Sequence, residues 1–110
     1  MRLRILLDEC VHAGVRAAFP NHAVKTVTES GWRSTKDGQL LLFAEGRFDV
    51  LVTVDRRLEF QNALPKFRLG FVIAHVRSNR LQDFIPLFPD LLAAAHSVRP
   101  GEILHIGHPK

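Results

Sequence analysis

Short apolar runs alternate along this chain with stretches whose apolar residues recur at helical spacing. Residues 3–7, LRILL, form an apolar run closed by the charged pair Asp8 and Glu9, which predicts a central strand covered on both faces. Over residues 11–19, Val11, Val15 and Ala18 fall at helical spacing, and Pro20 with Asn21 ends that helix. Residues 23–29, AVKTVTE, alternate as a second strand. A helix is predicted over 37–45, with Ser34 or Thr35 as its cap, Leu40, Leu41 and Ala44 on its buried side and Gly46 as its stop. Residues 49–54, DVLVTV, and 70–76, GFVIAHV, read as two further buried strands, and 56–68 between them as a short helix broken by Pro65. Residues 81–98 carry two prolines, so a short turn followed by a helix beginning near Pro89 is expected. Residues 101–106, GEILHI, close the pattern as an edge strand.

Strands that alternate with helices pair in parallel through right-handed crossovers. The expected fold is therefore α/β, a three-layer α/β/α sandwich with a mostly parallel sheet, in a single domain over residues 1–110. In such sheets the carboxyl ends of the strands face one crevice, and ligands bind where the strand order reverses. Two of the buried runs stop on an aspartate, Asp8 in ILLDEC and Asp55 in LVTVDRR. If those strands are neighbours, both carboxylates meet at one rim, and two ionised carboxylates at close range repel unless a proton, an arginine or a metal ion compensates. Magnesium or manganese suits such a site, being hard, oxygen-seeking and satisfied by one or two carboxylates plus water. The other reading of each aspartate is turn chemistry, its oxygens accepting backbone N–H groups of the segment that follows.

Composition narrows the classes. An apolar fraction of 46% and a charged fraction of 24% belong to a folded globular domain. No apolar run is long enough to cross a bilayer, and Asp8 and Glu9 interrupt the apolar start where a signal peptide would continue, so a cytoplasmic protein without a membrane partner is expected. The single Cys10 excludes an internal disulfide and a cysteine-rich zinc site. A formal charge of +4 favours a polyanionic partner. Neither a Walker A nor a G-x-G-x-x-G loop is present.

The ordered set of short motifs resembles the PIN-like nuclease family, in particular the short prokaryotic PIN-like chains encoded as toxins. ILLDEC opens the chain, Val24 to Gly31 matches a V.TV.E.G segment, Lys36, Asp37 and Gly38 match the start of the middle helix, and Thr53, Val54 and Asp55 match a T-x-D motif, with VRSNRL and RPGEI extending the likeness over nearly the whole chain. The resemblance implies a hydrolase, an endoribonuclease that uses Mg2+ or Mn2+, with RNA as substrate and an antitoxin protein as partner. It implies metal ligands at Asp8, Asp55 and Asp37, a further acid at Glu9, and a hydroxyl at Thr53 that orients an acid or a water. Arg56, Arg57, Arg77 and Arg80 would hold the RNA backbone. Cys10 departs from the pattern, standing where many PIN domains have asparagine, and the acid that commonly follows T-x-D is displaced to Glu59.

Other readings stand beside this one. Asp37 serves equally as a helix cap or first-turn charge, Glu9 as a group either exposed or paired with a nearby arginine, and Glu45 and Glu59 as solvated helix faces. Cys10 beside a helix start is a candidate for a lowered pKa. His105 and His108 read as surface residues, Trp32 as packed over the sheet edge, with base stacking the rarer alternative, and Phe67, Phe71, Phe84 and Phe88 as core, with any excess serving a homodimer face. Two whole-protein alternatives remain: a non-catalytic PIN-like module that binds RNA or a protein, and a receiver-like domain phosphorylated on aspartate, against which stands the lack of a lysine after GFVIAHV.

Overall fold

The computed structural model describes residues 2–107. His108, one of the histidines read above as surface, lies outside them. Five strands, β1 (Arg4–Leu7), β2 (Ala23–Thr26), β3 (Val50–Thr53), β4 (Gly70–His75) and β5 (Ile103–Gly107), form one sheet in the order β2-β1-β3-β4-β5. All four pairings are parallel, with Ile5 opposite both Val24 and Val50, Val50 opposite Gly70, and Phe71 opposite Ile103.

Helices cover both faces. The pleat sends Ile5, Leu7, Val52 and Val72 to one side, where they pack on Val15 of a 3-10 helix (Ala13–Ala18), on Phe84 of α3 (Leu81–Phe84) and on Leu91 of α4 (Phe88–Ser97). Leu6, Leu51 and Phe71 point to the other side, against Leu41 of α1 (Asp37–Ala44), Leu58 of α2 (Leu58–Gln61) and Leu64 of a 3-10 turn (Leu64–Lys66). Strands buried on both faces explain why their sequences read as apolar runs without alternation. Phe71 and Phe84 lie in these cores, and Phe67 and Phe88 pack against them while partly exposed.

Several boundaries differ from the sequence reading, each for a local reason. The helix expected over 11–19 is a 3-10 helix, and Gly14 within it lets α3 approach so closely that a Cβ there would stand 2.8 Å from a Leu81 methyl. β2 stops at Thr26 because Thr26 and Glu29 bond to each other's backbone: Glu29 N donates to Thr26 Oγ1 at 3.0 Å and Thr26 N to Glu29 Oε1 at 2.8 Å, which turns the chain. Neither Ser34 nor Thr35 caps α1; Lys36 stands at the cap without a side-chain bond, and Ser34, at φ +63°, instead donates its backbone N–H to Glu9. α4 starts with Pro89 in its first turn, as expected, after the short α3 and a 3-10 turn at Ile85–Leu87.

No helix among the described residues is long and apolar enough to cross a membrane. Leu51 is fully buried at the centre of the sheet, so Leu51→Ala should cost about 2–5 kcal/mol. Urea denaturation followed by circular dichroism checks this; an unchanged midpoint would show that the second core carries little of the stability.

Candidate functional site

β1 and β3 are adjacent, and the chain leaves them toward opposite sides of the sheet, so the strand order reverses between them. Asp8 follows β1 and Asp55 follows β3, which places both aspartates at the crevice this reversal opens. The joint is closed by backbone and hydroxyl together. Asp8 N donates to Val52 O at 3.0 Å, and Thr53 Oγ1 donates to Asp8 Oδ2 at 2.7 Å while accepting from Asp55 N at 3.1 Å. Among the described residues Thr53 is the one polar side chain that is fully buried. A buried hydroxyl must find partners, and both of its partners here are candidate site residues.

Asp8 is a hub. Its Oδ1 accepts from Glu9 N at 2.8 Å, and its Oδ2 also lies 3.6 Å from Cys10 Sγ. Thr53 gives its proton to Asp8, so in the 3.5 Å contact between Cys10 Sγ and Thr53 Oγ1 the thiol is the donor. Burial first, and the Asp8 charge second, push the Cys10 thiol above its ordinary pKa. The lowered value considered from sequence is therefore corrected: Cys10 is a packed, protonated thiol, not a nucleophile. Asp55 Oδ1 accepts from Arg57 N at 3.0 Å and pairs with Arg57 Nε at 3.5 Å, closing the turn into α2. Both aspartates thus do turn chemistry as well as meeting at the crevice.

Asp37 opens α1 on the far wall. Asp8, Glu9, Cys10, Asp37, Asp55 and Arg57 line one open cavity of about 360 Å³. Desolvation raises the Asp37 pKa above its ordinary 3.8, and the charges of Asp8, Asp55 and Glu9 add to the rise while Arg57 opposes it. Four acids share this space with one lining cation. Glu9 is exposed; its Oε1 accepts from Ser34 N at 3.2 Å, which fastens the loop after β2 to the crevice. No group of three His, Cys, Asp or Glu residues among the described residues is arranged to hold a metal ion.

The arginines divide. Arg57, with 78% of its side chain exposed, lines the acid crevice. Arg56 is exposed and close enough to His75 to depress its basicity. Arg77 lines a separate cavity of about 600 Å³ at the ends of β4 and β5, and Arg80 is an exposed residue preceding α3, in a turn held by Ser78 Oγ, which accepts from Arg80 N at 3.2 Å and donates to Asp83.

A second polar chain was not legible in the sequence. Glu59 Oε1 accepts from His105 Nε2 at 2.8 Å, and His105 Nδ1 meets His75 Nε2 at 2.8 Å. Glu59 is thus paired instead of solvated, and His105 bridges α2 to β4. With a neutral His105 donating to Glu59, its Nδ1 accepts from His75, and His75 Nδ1 is then a buried lone pair without a partner among the described residues. These residues lie 46 positions apart in sequence between Glu59 and His105 and share no motif spacing, and only the β4–β5 register joins them. Glu45 is tied too, accepting from Arg68 N at 2.7 Å.

No protein-family profile, curated protein or solved structure matches the chain.

Two predictions follow from the titrating groups. Asp37 binds its proton more tightly in the folded protein than in the unfolded chain, so its contribution to stability is complete below about pH 3.8 and is lost as pH rises through the folded value. Asp37→Asn should raise the melting temperature at pH 7, with the gain over wild type shrinking as pH falls toward 4; a lower melting temperature at pH 7 would refute the repulsion. His75, and His22 set edge-to-face against His96, are held below the ordinary 6.5, in each case by desolvation first and then by the neighbouring histidine. Folded protein therefore holds fewer protons than unfolded chain below about pH 6.5, and the stability these groups contribute is present above that pH and lost below it. Thermal melts from pH 7.5 to 5.5 should show a falling midpoint, and the fall should shrink in His75→Gln.

Proposed function

We propose that the chain is a PIN-like, metal-dependent endoribonuclease, acting as the toxin of a toxin–antitoxin pair. The observation that carries this reading is the meeting of Asp8, Asp55, Asp37 and Glu9 in one crevice at the reversal of strand order, with Asp37 made more basic by desolvation first and by its acidic neighbours second. Clustered acids cost stability, and a crevice that keeps them is built for a charged ligand.

The donor set fits a hard divalent cation, since it consists of carboxylate oxygens and one hydroxyl with no imidazole or thiolate available. Magnesium or manganese is content with one or two carboxylates and several waters, so Asp8 and Asp55 would hold the ion with Asp37 facing them. Bound there, the ion would supply Lewis-acid polarisation of a phosphate and a more acidic water. The chain's own residues do the rest. Thr53 fixes the Asp8 carboxylate and the Asp55 backbone in one orientation. Arg57, exposed beside the acids, meets a backbone phosphate, with Arg56 near it and Arg77 and Arg80 further along the sheet edge. Phe60 on α2, 83% exposed, is the kind of surface an antitoxin would cover.

One observation favours a second reading. The order β2-β1-β3-β4-β5 is that of flavodoxin-like sheets, which include receiver-like domains with an aspartate after the third strand. Against it, His75 and Arg77 stand at the end of β4 without a lysine.

The test is cleavage of mixed RNA by purified protein with magnesium, manganese or EDTA. Asp8→Asn and Asp55→Asn should each lose more than the roughly 10–100-fold typical of an outer partner, and Thr53→Val should fall within that range. If neither metal supports cleavage, a calorimetric manganese titration decides: binding lost in the two variants keeps a restrained enzyme, and no binding by any form leaves a non-catalytic module. Incorporation of phosphate from acetyl phosphate, labile to alkali and lost in Asp55→Asn, would replace the nuclease by the receiver-like reading.

A further inference from the structure

The far side of the β2–α1 loop carries a groove that the acid crevice does not use. Edge strand β2 presents Ala23 and Lys25 on the same face as Leu6, and both line a cavity there. Trp32 folds back beside it, its indole 5.6 Å from the Phe43 ring and 5.9 Å from Phe48 between centroids, with the Arg47 guanidinium 5.8 Å from its own centroid. The resulting cavity, about 400 Å³, has an aromatic floor in Trp32 and Phe48, a hydroxyl in Ser30, and a rim of Arg4, Lys25 and Arg47.

The charges are not equal. Arg4 is neutralised, its guanidinium bonded to both Asp49 oxygens and to Gly46 O. Lys25 and Arg47 are exposed, no carboxylate lines the cavity, and the Arg47 guanidinium donates to the neutral Phe43 carbonyl. An unbalanced pair of cations beside a half-buried indole suits a ligand that is flat and apolar on one part and anionic on another. A nucleotide is such a ligand, and stacking on aromatics within a basic groove is how single strands are bound without base pairing.

The groove is tied to the acids. Ser34, two residues beyond Trp32, is the residue whose N–H Glu9 holds, and Asp37 starts the helix that follows. One loop therefore has its tryptophan in the groove and its far end in the crevice. We propose that this groove holds one stacked base and the adjoining phosphates of a single-stranded RNA, so that the strand crosses the loop into the acid crevice. The assignment rests on the nuclease reading for what happens in the crevice, but its binding step needs no metal and no cleavage.

Trp32 is the one tryptophan of the chain, which has no tyrosine, so its fluorescence reports this groove alone. In EDTA, the full chain is titrated with a short oligouridylate, with the same RNA annealed to oligoadenylate, and with uridine monophosphate. The single strand should quench Trp32 saturably, the duplex should not, and the mononucleotide should bind at least about tenfold more weakly for want of the neighbouring phosphates. Plots of log affinity against log salt should flatten by about 0.7 in Lys25→Gln and again in Arg47→Gln. With labelled oligouridylate and anisotropy as readout, Trp32→Ala should lose about 5- to 150-fold. Lys25→Glu and Arg47→Glu, at exposed positions, keep the test decisive if Trp32→Ala fails to fold.

Absence of quenching, or quenching indifferent to Lys25→Glu and Arg47→Glu, overturns the proposal. Equal binding of uridine monophosphate overturns the strand-holding role and assigns the groove to a free nucleotide, and equal binding of duplex overturns stacking. Asp8→Asn separates the two readings: it should abolish cleavage and leave quenching unchanged. Cleavage without quenching removes the groove alone, whereas quenching without cleavage by any form removes the nuclease and leaves the groove as a recognition site.

Discussion

A single buried hydroxyl joins the two strands on which the molecule is organised. Thr53 is fully buried, and it spends its one proton on Asp8 and a lone pair on the Asp55 amide. β1 and β3 are the pair between which the sheet changes direction, so this joint sets both the register of the core and the position of the acids. Removing the hydroxyl would leave a carboxylate oxygen and an amide short of a partner at the edge of the core, a loss of about 1–3 kcal/mol for each group left unsatisfied. Orientation and stability are therefore supplied by the same atom. Cys10 belongs to the same knot, its thiol held protonated by burial and by Asp8.

Around that joint the molecule opposes itself. The cores on either face of the sheet stabilise it, while the crevice above concentrates carboxylates that repel one another and leave Asp37 reluctant to ionise. The strands beneath this site are buried, and its acids lie at or beside element ends. The basic groove beside β2 is the complement of the crevice: cations without acids on one side of a loop, acids with one arginine on the other. A polyanion laid across the loop would meet attraction first and the acids second, an order that suits a substrate whose approach to the acids needs a counter-charge.

Much of this was legible in the residues. Apolar runs ending in aspartate identified β1 and β3 and the crevice above them, because parallel strands buried on both faces leave an unmistakable composition and their ends have one place to go. Thr53 was named from the T-x-D spacing, although its bond to Asp8 depends on a strand pairing that spacing does not encode. What escaped were contacts set by tertiary register. Glu59, His105 and His75 form a chain through the pairing of β4 with β5, and Glu9 meets Ser34 because of where the loop folds. The caps of α1 and the end of β2 went astray for a different reason: side chains there bond to backbone groups that the pattern had assigned to the regular elements.

The position of β1 also bears on how the chain is made. β1 lies second in the sheet, yet it comes first in the sequence, and its neighbour on the core side, β3, begins only at Val50. At roughly 5–20 residues per second, a ribosome takes several seconds to supply that neighbour. During that interval Ile5, Leu6 and Leu7, which the finished protein buries completely, have at most β2 beside them. The nascent chain thus presents an apolar strand with one open edge before its cores can close, the circumstance in which a chaperone or a neighbouring chain competes with the native partner. Asp8 and Asp55 accordingly come together only when β3 docks.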